Sequence, residues 1–425
     1  MRLPNQLTAL RHRPFLAFWL GSFASVGATQ LQIMSQGWLV FELSGSTLML
    51  GYLGAAAGAP AILVTLFGGA MADRMDRRVL LIVTSFLTSG LLLALGLATL
   101  NGAANAWHII FVTGLISLIS GLDWPTRQAL LPSLIDRDSM MSAVALNAIV
   151  WQSCRMVFPA LGGIIIALWN ASIVLLLCSA GFAVMGIVIV RLQFTAEPTD
   201  TSRSALSQVT EGFRYIIGQR LFLVLLGLTY AMMLFGSSYM QLMPAVSTLL
   251  GAGSSGYGYL LSATGVGSVT GTLIIGNFQE SRQLGRIMLM TAIAGAACLF
   301  LFSGVAAAAS QFSTLVALTL GMSTAFAIAM FASMYLISSM TVIQLTVPDA
   351  MRGRVMSYHA LSYSLMPLGG LVAGAIAAAS STPIGIGVSS LIYAIIILAF
   401  GVTQSVLRDF DGASVKESFM NGNRS

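Results

Sequence analysis

From Phe15 to Leu407 the chain is a succession of apolar runs, separated by short segments that hold nearly all the charge and turn residues. A run of about twenty apolar residues spans the hydrocarbon core of a bilayer as a helix. Helical pairing also satisfies every backbone polar group inside the run. Twelve candidates follow: 15–41, 48–72, 79–100, 106–124, 143–168 and 172–192, then 221–249, 255–278, 286–306, 312–338, 353–379 and 384–407. Only 8% of the 425 residues are charged, 57% are hydrophobic, and mean hydropathy is +0.88. A soluble domain carries about 25% charged residues. A water-facing fold has no polar surface to cover so much apolar material, so the solvent of this chain is lipid.

Basic residues orient the spans. Arg2, Arg11 and Arg13 precede the first; Arg74, Arg77 and Arg78 follow the second; Arg127 and Arg137 follow the fourth. The central polar stretch and the loops after spans eight, ten and twelve hold the rest, save Arg155. Nineteen of the twenty cations thus fall on one side, which the positive-inside rule makes cytoplasmic, with both termini there. The net charge of +6 reads as this loop bias, not as a nucleic-acid footprint. The N-terminal apolar run continues past Trp38, too long for a cleaved signal of about 7–15 apolar residues, and is expected to be the first span. Trp19, Trp38, Trp107, Trp124 and Trp169 fall near expected span ends, as an interfacial belt requires.

Sliding the second half back by 207 residues lays Gly51-Tyr52-Leu53 on Gly258-Tyr259-Leu260. The same shift lays Ala56, Gly58, Thr65, Leu66 and Gly69 on Ala263, Gly265, Thr272, Leu273 and Gly276. A shift of 215 lays Arg137, Met141, Ser142, Ala145 and Leu146 on Arg352, Met356, Ser357, Ala360 and Leu361. The echoes predict an all-α membrane protein of twelve transmembrane helices in two parallel, pseudo-symmetric six-helix bundles: 1–192 and 221–425, the latter with a cytoplasmic tail. They are joined by a linker at 193–220. Within the linker Leu206, Val209, Phe213, Ile216 and Ile217 share a helical face, which predicts an amphipathic helix lying in the interface. Parallel repeats place a substrate site near the bilayer midplane, with alternating access by rocking of the halves. Gly54-xxx-Gly58, Gly267-xxx-Gly271 and Gly370-xxx-Gly374 are read chiefly as helix-packing motifs.

After the second span the chain reads Gly69-Ala-Met-Ala-Asp73-Arg74-Met-Asp76-Arg77-Arg78. This resembles the signature loop of the major facilitator superfamily, with Asp76 where that family usually has glycine. By the resemblance, Asp73, Arg77 and Asp123 form a cytoplasmic latch, and Arg74, Arg78 and Arg127 belong to the gating set. Asp123-Trp-Pro-Thr-Arg127, Ala145-Leu-Asn147, Val347-Pro-Asp-Ala-Met-Arg352-Gly-Arg354 and Pro367-Leu-Gly-Gly370 further resemble the bacterial branch of enterobactin-exporter-like efflux permeases. Pro159-xx-Gly162-Gly163 is similar to the fifth-span motif of drug–proton antiporters, although Cys154 and Phe158 replace two of its glycines. An arginine within span four, usual in such antiporters, is absent from 107–122.

Arg155 is the charge expected in mid-membrane, where a cation needs protein or water around it. It either bonds helix carbonyls and amides or meets an anionic group on the substrate. Gln30 and Gln36 on the first span, Tyr239 and Gln241 on the seventh, and Met334 and Tyr335 on the tenth complete the candidate substrate set. Glu42, Asp123 and His359 are the candidate proton carriers, and Arg352 and Arg354 join the gating residues.

Enzymatic readings lack motifs. There is no HExxH and no GxxxxGK[ST], and the single lysine, Lys416, lies in the tail, so no Walker-type ATP site exists on this chain. Cys154, Cys178 and Cys298 all fall in apolar runs, which predicts no disulfide and no metal site. The expectation is a secondary-active exporter of small amphiphilic molecules, a drug or siderophore-like metabolite, working by proton antiport in the bacterial inner membrane. No cofactor is expected beyond the proton gradient; the partners are substrate and lipid, and the chain is expected to be a monomer. An importer of a small anionic solute and a lipid flippase are the alternatives.

Overall fold

The computed structural model describes residues 5–72, 76–192, 205–278, 283–408 and 410, and every described element is helical. The helices are α1 Arg13–Ser44, α2 Thr47–Ala72, α3 Arg77–Leu100, α4 Ala106–Leu130, α5 Met140–Leu168 and α6 Ala171–Arg191. They continue as α7 Ala205–Gly218, α8 Arg220–Ala231, α9 Tyr239–Leu249, α10 Gly253–Gly276, α11 Leu284–Ala307, α12 Thr314–Thr346, α13 Asp349–Ala379, α14 Thr382–Ile396 and the short α15 Ser405–Arg408.

Eleven of the described segments are long and apolar enough to cross a membrane, with Arg220–Leu249 counted as one. The exception among the expected spans is α1. Its 32 residues are ample in length, but the buried Ser22, Ser25, Gln32, Ser35 and Gln36 dilute its hydropathy.

The chain divides into two compact units. Unit one is formed from the described residues of Met1–Gly45, Ala59–Ala205 and Ser254–Ser262, and unit two from those of Ser46–Gly58, Leu206–Gly253 and Ala263–Ser425. The first halves of α2 and α10, which the 207-residue echo relates, each belong to the unit opposite the rest of their helix. In unit one a core of Phe15, Phe18, Leu81, Leu130, Leu131, Leu146, Met185 and Ile189 lies near the arginine-bearing helix ends. In unit two Leu225, Met232, Met288, Tyr335, Val342, Tyr393 and Ile397 are the centre of the core.

Close approach follows from small residues where the sequence pattern asks for it. A Cβ at Gly54 would lie 2.2 Å from the Pro367 carbonyl oxygen, and one at Gly58 2.7 Å from that of Ser364, so α2 meets α13 backbone to backbone. Gly267 and Gly271 bring α10 equally close to Phe326 and Met330 of α12, at 2.2 Å each.

Three local features depart from the expected pattern. The seventh expected span is interrupted: α8 passes through a π turn at Met232–Gly236 and a break at Ser237–Ser238 before α9 resumes. The amphipathic α7 forms, but its apolar side splits. Ile216 is buried, while Phe213 and Ile217 stand 54% and 53% exposed, because the side-chain-free Gly212 brings α13 onto one flank. Of the expected tryptophan belt, Trp107 and Trp169 are exposed at helix ends. Trp19 instead turns inward and donates from Nε1 to the Leu146 carbonyl at 3.1 Å, and Trp38 stacks on Tyr257 with 6.4 Å between centroids.

Candidate functional site

Asp123 is the centre of a polar cluster in unit one. It sits near the arginine-bearing end of α4, where one helical turn brings Arg127 alongside, and the Arg127 Nε pairs with its Oδ2. The other carboxylate oxygen accepts from Thr84 Oγ1 on α3 at 3.0 Å, and Arg127 Nη1 donates to Ser25 Oγ on α1 at 2.9 Å. One ion pair thus ties α1, α3 and α4 together. The side chains of Arg127 and Asp123 are 11% and 20% exposed, so the pair is largely withdrawn from water. Beside it a cavity of about 10 Å³, water-sized, is lined by Ser22, Gln128, Asn147 and Trp151 among others.

Of the signature loop, Asp73 and Arg74 lie outside the described residues, and Gly69 falls in the last turn of α2. Asp76, the departure from the family pattern, is the N-cap of α3: its Oδ1 accepts from the backbone of Arg78 at 2.8 Å and of Val79 at 3.4 Å. A carboxylate there satisfies orphan amides and complements the helix dipole, a role glycine lacks. Arg78 Nη2 reaches the Val190 carbonyl of α6 at 2.7 Å, and the partly buried Arg77 starts α3.

The fifth-span motif builds a contact between α5 and the first half of α10. A Cβ on Gly163 would lie 2.5 Å from the Ser254 carbonyl oxygen, and one on Gly258 2.4 Å from that of Pro159. Pro159 cannot donate into the helix. The next amide, Ala160 N–H, donates to Ser262 Oγ at 3.1 Å. On the other face of α5, Gly162 meets Leu31 and Met34 of α1. The bulky Phe158 fills a notch that Gly27 leaves in α1, where a Cβ would stand 2.4 Å from its ring, and packs edge-on to Phe23 at 5.6 Å. Cys154, fully buried, lies against Val26 and Val150.

Arg155 is partly buried, one turn before Pro159 on α5. On α1, Gln32 Nε2 donates to Gln36 Oε1 at 3.2 Å; Gln36 is 3% exposed, and Gln30 is partly buried. Glu42 is exposed in the last turn of α1. The structure brings Asp123 and Arg127 together.

In unit two, Gln241 lies under Gly370, whose Cβ would fall 2.3 Å from its side chain. Tyr239 is 2% exposed, with its ring edge against Phe302 at 5.5 Å. Tyr335 is fully buried, its hydroxyl 3.4 Å from Thr229 Oγ1, which in turn lies 3.2 Å from Ser339 Oγ. Met334 is 8% and His359 3% exposed. At the start of α13, Arg352 pairs with Asp349 at 2.6 Å. Arg354 reaches Glu211 of α7 at 2.8 Å, fixing the linker helix to this end of α13. Sequence reading missed Ser25 and Thr84. The signal for Ser25 was present, since Ser22, Ser25, Thr29, Gln32 and Gln36 recur at spacings of three and four along one face of α1.

The chain matches the family model described as transmembrane secretion effector over residues 5–423. It is similar to the staphyloferrin A transporter of Staphylococcus aureus (strain NCTC 8325 / PS 47), 25% identical over 84% of this chain and 85% of that one. It is also similar to the enterobactin exporter EntS of Escherichia coli O1:K1 / APEC, 23% identical over 81% of this chain and 80% of that one. Among solved structures the fold matches the nucleoside transporter NupG with a TM-score of 0.72, at 13% identity, over 91% of this chain and 98% of that one.

Proposed function

The chain belongs to the transmembrane secretion effector family of the major facilitator superfamily, and on that premise we propose that it is a secondary-active exporter of siderophore-like amphiphilic metabolites. The observation that carries this reading is similarity along more than four-fifths of the chain to two relatives whose names specify siderophore transport: 84% for the staphyloferrin A transporter and 81% for the enterobactin exporter. In this reading twelve spans form the halves 1–192 and 221–425 around the linker 193–220. The arginine-bearing helix ends and both termini face the cytoplasm of a bacterial inner membrane, the chain works as a monomer, and the halves alternate access by rocking.

The α5 face built on Pro159 and Gly163 supports a hinge role. Its helix carries a proline that has no amide to donate, and it lies against α10 at the two glycines Gly163 and Gly258. The Asp123–Arg127 pair and the Arg352 and Arg354 contacts at the arginine-bearing ends act as gating contacts with Arg77 and Arg78, and the resemblance adds Gly69, Asp73 and Arg74. Of the substrate candidates, Arg155, Gln30 and Gln241 are only partly buried and are the ones assigned to direct contact. Gln36, Tyr239, Met334 and Tyr335 act behind them by packing. Protons move through His359, Asp123 or Glu42, and their gradient drives export.

Expression of the chain in a siderophore-producing cell that lacks its own exporter tests direction: intracellular siderophore falls if this reading holds and rises for an importer. Proteoliposomes with imposed pH gradients test coupling, and transport indifferent to the gradient removes proton antiport.

A further inference from the structure

Glu42 stands alone at its end of unit one. The segments that line or adjoin the cavity there, residues 42–45, 97–108 and 164–174, contain no other Asp, Glu, Lys or Arg. Among the described residues no ion pair or hydrogen bond engages its carboxylate. The charge nevertheless lines a cavity of about 190 Å³, at the mouth formed by the last turns of α1 and α3 and the α5–α6 turn.

The other walls carry a defined chemistry. Trp169, 64% exposed, presents an indole at the helix end, the depth at which tryptophan meets lipid headgroups. Asn170 caps α6, and its Oδ1 already accepts from Ile173 N at 3.1 Å and Ser172 Oγ at 2.5 Å. Its amide Nδ2 is therefore the group left to donate into the cavity. Thr99 Oγ1 donates to the Leu95 carbonyl at 2.8 Å, so it offers the cavity lone pairs. Leu39 and Leu100 complete the wall with hydrocarbon.

A carboxylate, an indole and a neutral amide donor lining one cavity match a zwitterion with a primary ammonium and a phosphate. An indole face attracts an ammonium, and a carboxylate accepts charge-assisted hydrogen bonds from it. No Lys or Arg of the protein lies in these segments to do the same. We propose that this cavity binds the headgroup of phosphatidylethanolamine, with its ammonium on Glu42 and Trp169 and its phosphate on the Asn170 amide. Phosphatidylcholine has no N–H to donate, and phosphatidylglycerol brings an anion toward Glu42, so both bind worse.

The test uses the purified full-length protein in detergent, with thermal unfolding followed as each lipid is titrated. Phosphatidylethanolamine should raise the midpoint at roughly tenfold or more lower concentration than phosphatidylcholine, the ratio one charge-assisted hydrogen bond supplies. That preference should vanish in Glu42→Gln, an exposed site where folding is unaffected. It should weaken in Asn170→Asp, which keeps the α6 cap and removes the donor. Phosphatidylglycerol titrated alongside reports whether each variant still responds to lipid at all. Equal responses to phosphatidylethanolamine and phosphatidylcholine, or an undiminished preference in Glu42→Gln, overturn the proposal. So does an equal midpoint shift from soluble phosphoethanolamine at the same concentration, which would make the ligand a free solute.

Discussion

Replacing Asp123 by Asn leaves the Arg127 guanidinium 11% exposed with Ser25 Oγ as its remaining described partner. Asn is nearly the same size and can still accept from Thr84, so the loss is of charge, not of shape. Breaking a buried pair by removing one partner costs about 3–5 kcal/mol, because the survivor is desolvated without compensation. Asp123 retains 20% exposure, which lets some water reach the site, so about 3 kcal/mol is the figure expected for Asp123→Asn. Arg127→Gln should cost a similar amount by stranding the carboxylate. The double variant removes both charges, and its cost should fall short of the summed singles by about 2 kcal/mol, within the range for contacting residues. The assay is thermal and denaturant unfolding of the four proteins, purified in one detergent. If the double variant is as unstable as the two single losses added, the residues are not coupled and the cluster is not a unit.

Other consequences follow from the same contacts. Gly27→Ala places a Cβ 2.4 Å from the Phe158 ring and should cost about 1–3 kcal/mol, with Phe158→Leu restoring most of it in an unfolding assay. Gly267→Leu, which drives a side chain into the Phe326 carbonyl, should destabilise unit two far more than Gly276→Leu, which meets nothing within 4 Å. Arg155→Ala should raise KM for an anionic siderophore more than for a neutral analogue in vesicle uptake; equal affinities remove Arg155 from the site. His359→Gln should leave substrate binding intact while abolishing acceleration by a pH gradient, whereas an unchanged gradient response assigns the proton to another group.

How much was legible depended on whether a feature is periodic. The helices and the α2–α10 echo rest on apolar period and residue identity, and both can be counted along the chain. The close approach at Gly54, Gly58, Gly267 and Gly271 was likewise legible, since small residues four apart share one helix face. The π turn at Met232–Gly236 was not, because an added residue in a turn leaves the local composition apolar on either side. The Asp123–Arg127 pair was half visible: a spacing of four on a helix allows it, but Thr84 and Ser25 arrive from helices 39 and 102 residues distant in sequence. Tyr335 shows the reverse case. An aromatic beside Met334 in a span fits a binding surface on paper, yet its hydroxyl is held inside the core near Thr229.

Two of the places where the chain departs from motifs it otherwise resembles have a shared explanation. Asp76 stands where glycine is usual, and Phe158 where a small residue is usual. Taken singly, each reads as a weakened motif. In the structure each is matched by something adjacent: Asp76 finds the free amides of Arg78 and Val79 at the start of α3, and Phe158 finds the hollow at Gly27. A glycine in a packed motif keeps space open, and that space can be supplied from either helix of a pair. Moving the glycine from α5 to α1 preserves the separation of the helices on that face, while Pro159 and Gly163 keep the opposite face bare against Ser254 and Gly258. On the proposed hinge reading, the functional content of the motif lies in which face stays free of side chains. It follows that Gly163→Ala, with its Cβ 2.5 Å from the Ser254 carbonyl oxygen, should impair transport more than Phe158→Gly, which only opens a hollow beside Gly27. Transport rates per correctly folded molecule decide it, and the reverse order would show that the Phe158 face is the one that moves.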